Sequence, residues 1–149
     1  MINKIDHIKK ITQFRDIDEV LFFLAQGVKG IFGDGLVGLY LTGSLSYGDF
    51  EEGRSDIDLA VVLKKPATPK QIAAIKQLHL ETEKKFPKWG KRIECSYVPL
   101  GMLKETLPPK APRPYVGNGI FHPQELYGNE WFINKLPRGI AHEVFLPLR

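Results

Sequence analysis

The chain contains a single cysteine, Cys95, among its 149 residues. One thiol cannot form an internal disulfide, and it leaves no cysteine cluster for structural zinc. No apolar run approaches the roughly 18 to 20 residues that cross a bilayer, and the opening segment MINKIDHIKK lacks the apolar centre of a signal peptide. We therefore expect a cytoplasmic protein with no membrane partner. Because free cysteine packs like a small apolar residue, Cys95 is predicted to be a buried bystander and not a nucleophile.

The chain also lacks a long tract of like charges. The formal net charge is +4, and lysine and arginine occur in short clusters instead of one long tract. Such clusters are typical of a solvated face, and they also suit a polyphosphate or nucleic-acid ligand. The four histidines lack the spacing of metal ligands, so we interpret them as structural or surface residues; they are His7, His79, His122 and His142.

What is present is a series of helix and strand signals in a chain whose length suits one domain with a substantial core. Apolar residues recur at helical spacing over 16–32, and Thr68 and Pro69 are suited to begin a second helix. The predicted elements, in order, are a helix at 16–32, strands at 36–42 and 57–63, a helix at 69–86, a strand at 91–98 and a short helix at 100–106. This order predicts an α/β (α+β) fold, with helices packed on one face of a small mixed β-sheet.

The region after the last predicted strand is interrupted by proline. Residues 107–114, LPPKAPRP, hold four prolines, which exclude regular helix and central strand. A stiff connecting loop is favoured over a proline motif that binds a partner. The tail that follows is rich in aromatic residues but too short for a second domain. We therefore expect a single domain over 1–149, with 107–149 as an extension packed on it.

One motif matches a ligand-binding pattern in the wrong context. Residues 33–38, GDGLVG, fit the glycine pattern of dinucleotide-binding folds. That pattern must follow a strand and open a helix, so that the phosphate meets the helix N-terminus. Here it follows a predicted helix and leads into a predicted strand, which indicates a helix-to-strand turn.

A pair of acids stands at the head of the second predicted strand. Residues 43–58 read GSLSYGDFEEGRSDID, between the apolar segments GLVGLYLT and LAVVL. Because side chains alternate along a strand, Asp56 and Asp58 point to the same face, with Cα atoms roughly 6.5 to 7 Å apart. Two carboxylates at that distance repel unless a cation lies between them, and Mg²⁺ prefers such oxygen ligands. The alternative is that Asp56 caps a turn while Asp58 is solvated on an edge strand.

The upstream Gly43-Ser44 pair favours the metal site. Gly43 ends the first predicted strand, and Ser44 can open a short helix. Its hydroxyl and the neighbouring backbone N–H groups would then face phosphate oxygens. A phosphate cradle and an acid pair would stand at the ends of two neighbouring strands.

At these residues the chain resembles a known family. The stretch LTGSLSYGDFEEGRSDIDLAVV is similar to the signature of the DNA polymerase beta-like nucleotidyltransferase superfamily, which combines a Gly-Ser pair, a short spacer and an acid-apolar-acid triplet on a strand. Within that superfamily the chain most resembles the aminoglycoside adenylyltransferases and their minimal nucleotidyltransferase relatives, over about residues 20–100. The compound motif is more specific than any of its parts.

The resemblance implies a metal-dependent nucleotidyltransferase. Such an enzyme moves a nucleoside monophosphate, here AMP from ATP, to an acceptor hydroxyl and releases pyrophosphate. By this resemblance Asp56 and Asp58 are catalytic residues that bind one or two Mg²⁺ ions, while Gly43 and Ser44 hold the nucleotide.

A third carboxylate on a neighbouring strand is also implied, and the segment RIECSYV supplies Glu94. Glu94 would complete the metal site, act as general base toward the acceptor, or do both. The alternative is an exposed strand face on which Glu94 pairs with a lysine. Ser46 and Arg54 are the softer nucleotide-binding candidates. Relatives often carry an arginine soon after Gly-Ser, which this chain lacks, so Arg54 either faces the triphosphate or is a solvated loop residue.

The resemblance leaves the acceptor open. Aminoglycoside enzymes carry a helical domain after the core, whereas only about 55 residues follow Glu94 here. Either this is a compact stand-alone form or the acceptor-binding part lies on another chain. The expected acceptor is an unidentified hydroxyl compound, either a small molecule or a protein. One alternative is an antitoxin-like minimal nucleotidyltransferase that acts on a helical partner protein. Another is an inert nucleotide-binding regulatory module.

Overall fold

A computed structural model describes residues 12–42, 51–103, 113–117, 119–125 and 142–145 of the protein. The helices are α1 (Arg15–Phe32), α2 (Pro69–Lys85) and the short α3 (Leu100–Leu103). The six described strands are β1 (Leu36–Thr42), β2 (Ile57–Leu63), β3 (Ile93–Pro99), β4 (Arg113–Gly117), β5 (Ile120–Glu125) and β6 (His142–Phe145). No helix in these ranges is long and apolar enough to cross a membrane.

The strands form one mixed sheet in the order β5-β4-β3-β2-β1-β6. β2 and β3 run parallel, and the other described pairs are antiparallel. Two neighbouring parallel strands need a crossover, and α2 provides it. The predicted class, a small mixed sheet with helices on one face, is confirmed, and the region after residue 112 adds three strands to the sheet.

Both long helices follow from their sequences. α1 buries a stripe of apolar side chains at helical spacing, namely Ile17, Val20, Leu21, Leu24 and Val28. α2 begins with a capping box, in which the Thr68 Oγ1 accepts a hydrogen bond from the Gln71 backbone N–H at 3.2 Å and the Gln71 Oε1 accepts one from the Thr68 N–H at 2.9 Å. Such a cap contributes about 1 kcal/mol. Pro69 occupies the first turn, as predicted.

The core lies between the helices and one face of the sheet. The strand residues that reach it alternate along the chain and include Ile57, Leu59, Val61, Ile93, Cys95 and Tyr97. Burial raises the pKa of the Cys95 thiol to about 12, so this cysteine is a bystander at neutral pH, as predicted. The intervening residues of β2 and β3 point to the opposite face, and Asp58 and Glu94 are among them.

Two local expectations have different outcomes. The glycine motif is indeed a helix-to-strand turn, because Gly33–Gly35 forms a 3-10 turn between α1 and β1 and Gly33 has a φ of 54°. The exclusion of central strand from residues 107–114 is wrong at its end, since Arg113 and Pro114 belong to β4. The register of β4 with β5 shifts between Arg113 and Tyr115. Such an irregularity accommodates a proline, which has no N–H to donate to the ladder.

A buried polar pair joins α2 to β3 within the core. The His79 Nε2 lies 2.7 Å from the Tyr97 hydroxyl, and only 5% of the His79 surface is exposed. Burial lowers the pKa of His79 to about 4, because the apolar surroundings disfavour the charged ring. His79 is therefore structural, as predicted.

This pair predicts an acid-sensitive core. Between pH 6.5, the ordinary pKa of histidine, and about pH 4, the unfolded chain binds a proton that the folded chain does not. Stability from this group is therefore complete above pH 6.5 and declines toward pH 4, with a slope of up to about 1.4 kcal/mol per pH unit. Denaturant unfolding over this range checks the slope. His79→Gln, which cannot titrate, is expected to flatten it, and equal slopes in both proteins would contradict the assignment.

Candidate functional site

Asp56, Asp58 and Glu94 occupy neighbouring backbone positions at one end of the sheet. β2 and β3 run parallel and begin at this end, where Asp58 is in register with Glu94. Neighbouring strands lie about 4.8 Å apart, so the two side chains stand side by side on the face turned away from the core. Asp56 directly precedes β2, one step before the Ile57–Ile93 pair. The backbone therefore brings together the three acids that the sequence singles out.

The pKa of Asp56 reflects its burial and the negative charge of its neighbour. Burial, and next the negative charge of Glu94, raise the pKa of the Asp56 carboxyl above its ordinary value. The positive charge of Arg92 opposes both effects. Like charges that cannot move apart hold a proton more readily, unless a cation neutralises them. The strand register thus creates a local excess of negative charge.

Arg92 fixes the segment that enters this cluster. Its guanidinium donates a hydrogen bond to the Ser55 carbonyl oxygen, next to Asp56. The same group lies 4.4 Å from the centre of the Trp89 ring. Trp89 is itself buried, and its Nε1 donates to the Asp16 carboxylate at 2.7 Å. A rigid aromatic support therefore holds the arginine that positions the residue before Asp56.

The loop before β2 is closed by its own polar groups. The Ser55 N–H donates to the Glu51 carbonyl at 2.8 Å, and the Ser55 Oγ accepts from the Glu51 N–H at 2.9 Å. The Arg54 guanidinium forms an exposed ion pair with Glu51 at 2.7 Å. Arg54 therefore faces a carboxylate of its own loop, the geometry of the solvated alternative, and nothing described here brings it to the three acids.

On the other side of Glu94, β4 contributes a tyrosine. The Tyr115 hydroxyl donates a hydrogen bond to the Glu94 Oε1 at 2.7 Å. The Tyr115 and His122 rings lie 5.8 Å apart, centre to centre, on neighbouring strands. The polar surface thus continues from the acids across β3 to β4 and β5.

The donor set suits a hard divalent cation, because it consists of carboxylate oxygens only. The pKa of Asp56 supports the fit, since the negative charge of Glu94 accounts for part of its rise and a cation would neutralise that charge. Within the described ranges, no three His, Cys, Asp or Glu side chains already stand close enough together to hold an ion. The strands thus supply neighbouring positions, and Tyr115 engages one oxygen of Glu94.

The predicted phosphate-binding residues cannot be placed. Gly43, Ser44 and Ser46 lie outside the described residues.

A cavity of about 80 Å³ lies near the opposite ends of β2 and β3. It is too small for a nucleotide, since ligand sites usually span about 300 to 1,000 Å³. Its lining residues are Pro66, Ala67, Ile72, Tyr97, Pro99, Arg113, Pro114 and Pro123.

Two contributors to the site were missed by sequence reasoning. Strand alternation does place Arg92 on the face of Glu94, but nothing in the sequence shows that it bonds to the Ser55 carbonyl. Nothing in the sequence indicated that Tyr115 belongs to the site, because no strand is predicted at 113–117 and its partner, Glu94, lies on a different strand.

The chain matches a known protein family over most of the described core. The sequence profile of the family described as "Nucleotidyltransferase domain" matches residues 24–112, which is more than half of the 149-residue chain. The three acids lie inside the matched range, and Tyr115 lies just beyond it. A search of curated proteins gave no match.

Proposed function

Since the chain belongs to the nucleotidyltransferase domain family, as its resemblance to the DNA polymerase beta-like superfamily predicts, we propose that it transfers a nucleoside monophosphate from a nucleoside triphosphate to an acceptor hydroxyl. The observation that carries the proposal is the register of Asp58 with Glu94 on parallel strands, with Asp56 directly before β2. Three carboxylates at one end of a sheet are suited to metal-assisted phosphoryl chemistry, which depends on positioning and charge neutralisation.

Asp56, Asp58 and Glu94 would hold one or two Mg²⁺ ions through their carboxylate oxygens. When bound, Mg²⁺ supplies positive charge to the phosphate oxygens. Arg92 holds the Ser55 carbonyl and so keeps Asp56 at the site. We assign the phosphate cradle to Gly43 and Ser44, with Ser46 beside them, because these residues match the Gly-Ser part of the motif.

Glu94 would also receive the acceptor proton. The acceptor O–H bond breaks, its oxygen forms a new bond to the α-phosphorus, and the proton passes to the Glu94 carboxylate. The bond between the α-phosphorus and the oxygen that bridges to the β-phosphate breaks, and pyrophosphate leaves. The donor is expected to be ATP, by resemblance to the adenylyltransferase branch. The register places Glu94 on the strand next to the acid pair, on the side of the sheet that continues to β4.

Label transfer tests the proposal. The full chain is incubated with Mg²⁺ and each α-³²P-labelled nucleoside triphosphate, together with cell protein, total RNA and a pool of small hydroxyl compounds. Label is expected to pass from ATP to one acceptor class, and EDTA is expected to abolish the transfer. Parallel reactions with γ-labelled ATP should leave the acceptor unlabelled, because the γ-phosphate leaves in pyrophosphate.

Each other outcome has a definite meaning. Label from the γ position would show a kinase and contradict the proposal. Mg²⁺-dependent ATP binding without transfer to any acceptor would favour the inert regulatory module. Label on a co-purifying helical protein would identify the acceptor as a partner protein.

A further inference from the structure

The hydrogen bond between Tyr115 and Glu94 joins the site to a strand that the family signature does not include. The Tyr115 hydroxyl donates to the Glu94 Oε1 at 2.7 Å. Tyr115 stands directly opposite Ser96 across the β3–β4 pair, yet its hydroxyl bonds to Glu94, two residues earlier on β3. Ser96 Oγ is buried and has no hydrogen-bond partner in the described part of the chain. The Tyr115 hydroxyl therefore bonds to Glu94 and not to Ser96, its cross-strand partner.

Gly117 makes this path possible. A Cβ on Gly117 would lie 2.8 Å from both the Cε2 and the Cζ of Tyr115, and closer still to its hydroxyl oxygen. The tyrosine ring thus lies along β4 directly over the Gly117 Cα, toward the end of the sheet that carries Glu94. Gly117 is not among the described glycines with positive φ. Glycine at this position therefore serves the close approach of the ring and not an unusual backbone conformation.

The ring is also confined from the neighbouring strand. Tyr115 and His122 are cross-strand partners, with rings 5.8 Å apart and inclined by 31°. Cross-strand aromatic neighbours stabilise one another by packing. Gly117 beneath the ring and His122 beside it leave the phenol hydroxyl directed at one oxygen of Glu94.

We infer that Tyr115 is a positioning residue for Glu94, and that Gly117 is required for it. The hydroxyl engages Oε1, so Oε2 would be the Glu94 oxygen left to bind a metal ion or to receive the acceptor proton. A free glutamate side chain samples several rotamers, so fixing one oxygen selects the productive orientation before the substrate arrives. This inference rests on the proposed function, because it assumes that Glu94 takes part in metal binding or proton transfer.

A double-mutant cycle tests the inference. Tyr115→Phe removes only the hydroxyl and is expected to lower kcat and the affinity for Mn²⁺ alone by about tenfold to a hundredfold, with the KM for ATP unchanged. In a Glu94→Gln background, Tyr115→Phe is expected to change either quantity by less than about twofold, because the residue acts through Glu94. Mn²⁺ binding is measured by electron paramagnetic resonance without nucleotide, so this arm does not depend on turnover.

Two further variants separate positioning from support. Gly117→Ala keeps the tyrosine but displaces its ring, and it is expected to reproduce the effects of Tyr115→Phe. Tyr97→Phe removes a hydroxyl from the core face of β3, where its partner is His79. This control is expected to lower stability but to leave Mn²⁺ affinity unchanged.

The results distinguish two failures. A wild-type chain that transfers no nucleotide overturns the proposed function, while the Mn²⁺ cycle still measures the coupling of Tyr115 to Glu94. Equal effects of Tyr115→Phe in both backgrounds would make the tyrosine a structural brace and overturn the inference. The absence of coupling in both kcat and Mn²⁺ affinity would also overturn it.

Discussion

Asp58→Asn is expected to lower the rate of nucleotidyl transfer by about a thousandfold, which corresponds to about 4 kcal/mol of lost transition-state stabilisation. Asparagine keeps the shape of the side chain and one oxygen but removes its negative charge. The in-register Glu94 then has only Asp56 as a charged partner with which to hold a divalent ion. Transfer of α-labelled phosphate from ATP measures the loss, and titration with Mn²⁺ checks that the affinity for the ion falls in parallel.

A matched control uses the same substitution elsewhere. Asp34 is exposed in the turn between α1 and β1, so Asp34→Asn is expected to leave transfer unchanged. Asp58→Asn keeps the size of the side chain, so its melting temperature is expected to stay close to that of the wild type. Transfer that stays within tenfold of the wild-type rate would remove Asp58 from the metal site. A large fall in melting temperature would show that the loss comes from unfolding.

Trp89→Ala is expected to lower the free energy of unfolding by about 3 to 5 kcal/mol. Only 1% of the Trp89 surface is exposed, and typical domains are stable by only about 5 to 15 kcal/mol. The ring supports the Arg92 guanidinium at 4.4 Å, which in turn holds the Ser55 carbonyl next to Asp56. The substitution should therefore weaken Mn²⁺ binding as well, even at low temperature where the protein remains folded.

Trp89→Phe provides the graded comparison. Phenylalanine keeps an aromatic ring beneath Arg92 but loses the indole N–H that donates to Asp16 at 2.7 Å. A hydrogen bond to a charged group contributes about 1.5 to 3 kcal/mol, so a smaller loss is expected, with most of the Mn²⁺ affinity retained. Urea unfolding measures both variants. Equal losses in the two would mean that the hydrogen bond, and not packing and support of Arg92, dominates the role of Trp89.

Within residues 12–42 and 51–103, the helices and strands are predictable because local sequence signals agree with the tertiary structure. The predicted bounds of β1 and β2 match those observed, and the capping box at Thr68 begins α2 where expected. β3 begins two residues later than predicted, because Gly90–Arg92 forms a 3-10 turn. Strand periodicity predicted that Asp56 and Asp58 share one face of their strand, and the observed register then sets Glu94 beside Asp58.

β4 and the roles of Tyr115 and Arg92 could not be predicted, because they depend on contacts between residues that are far apart in the sequence. β4 contains a proline beside a register shift. The segment is short and shows no alternation of apolar and polar residues strong enough to predict a strand next to so many prolines. Tyr115 then becomes part of the site only because β4 pairs with β3 and Gly117 admits its ring. Arg92 likewise has a role only because its guanidinium bonds to the Ser55 carbonyl oxygen, in the segment that leads into β2. Such partners are set by topology, which local composition does not encode.

The parallel pairing of β2 with β3 has a consequence for the order of folding. β1 and β2 are consecutive and antiparallel, so we expect their local pairing, with Asp58 in β2 and Asp56 directly before it, to form before the pairing of β2 with β3. Glu94 joins them only after the crossover through α2 has closed, and such non-local pairing is slow because its chain entropy is lost before its contacts form. We expect a partly folded chain to present an acid pair without its third member. The complete set of three acids is therefore expected to form only after β2 has paired with β3.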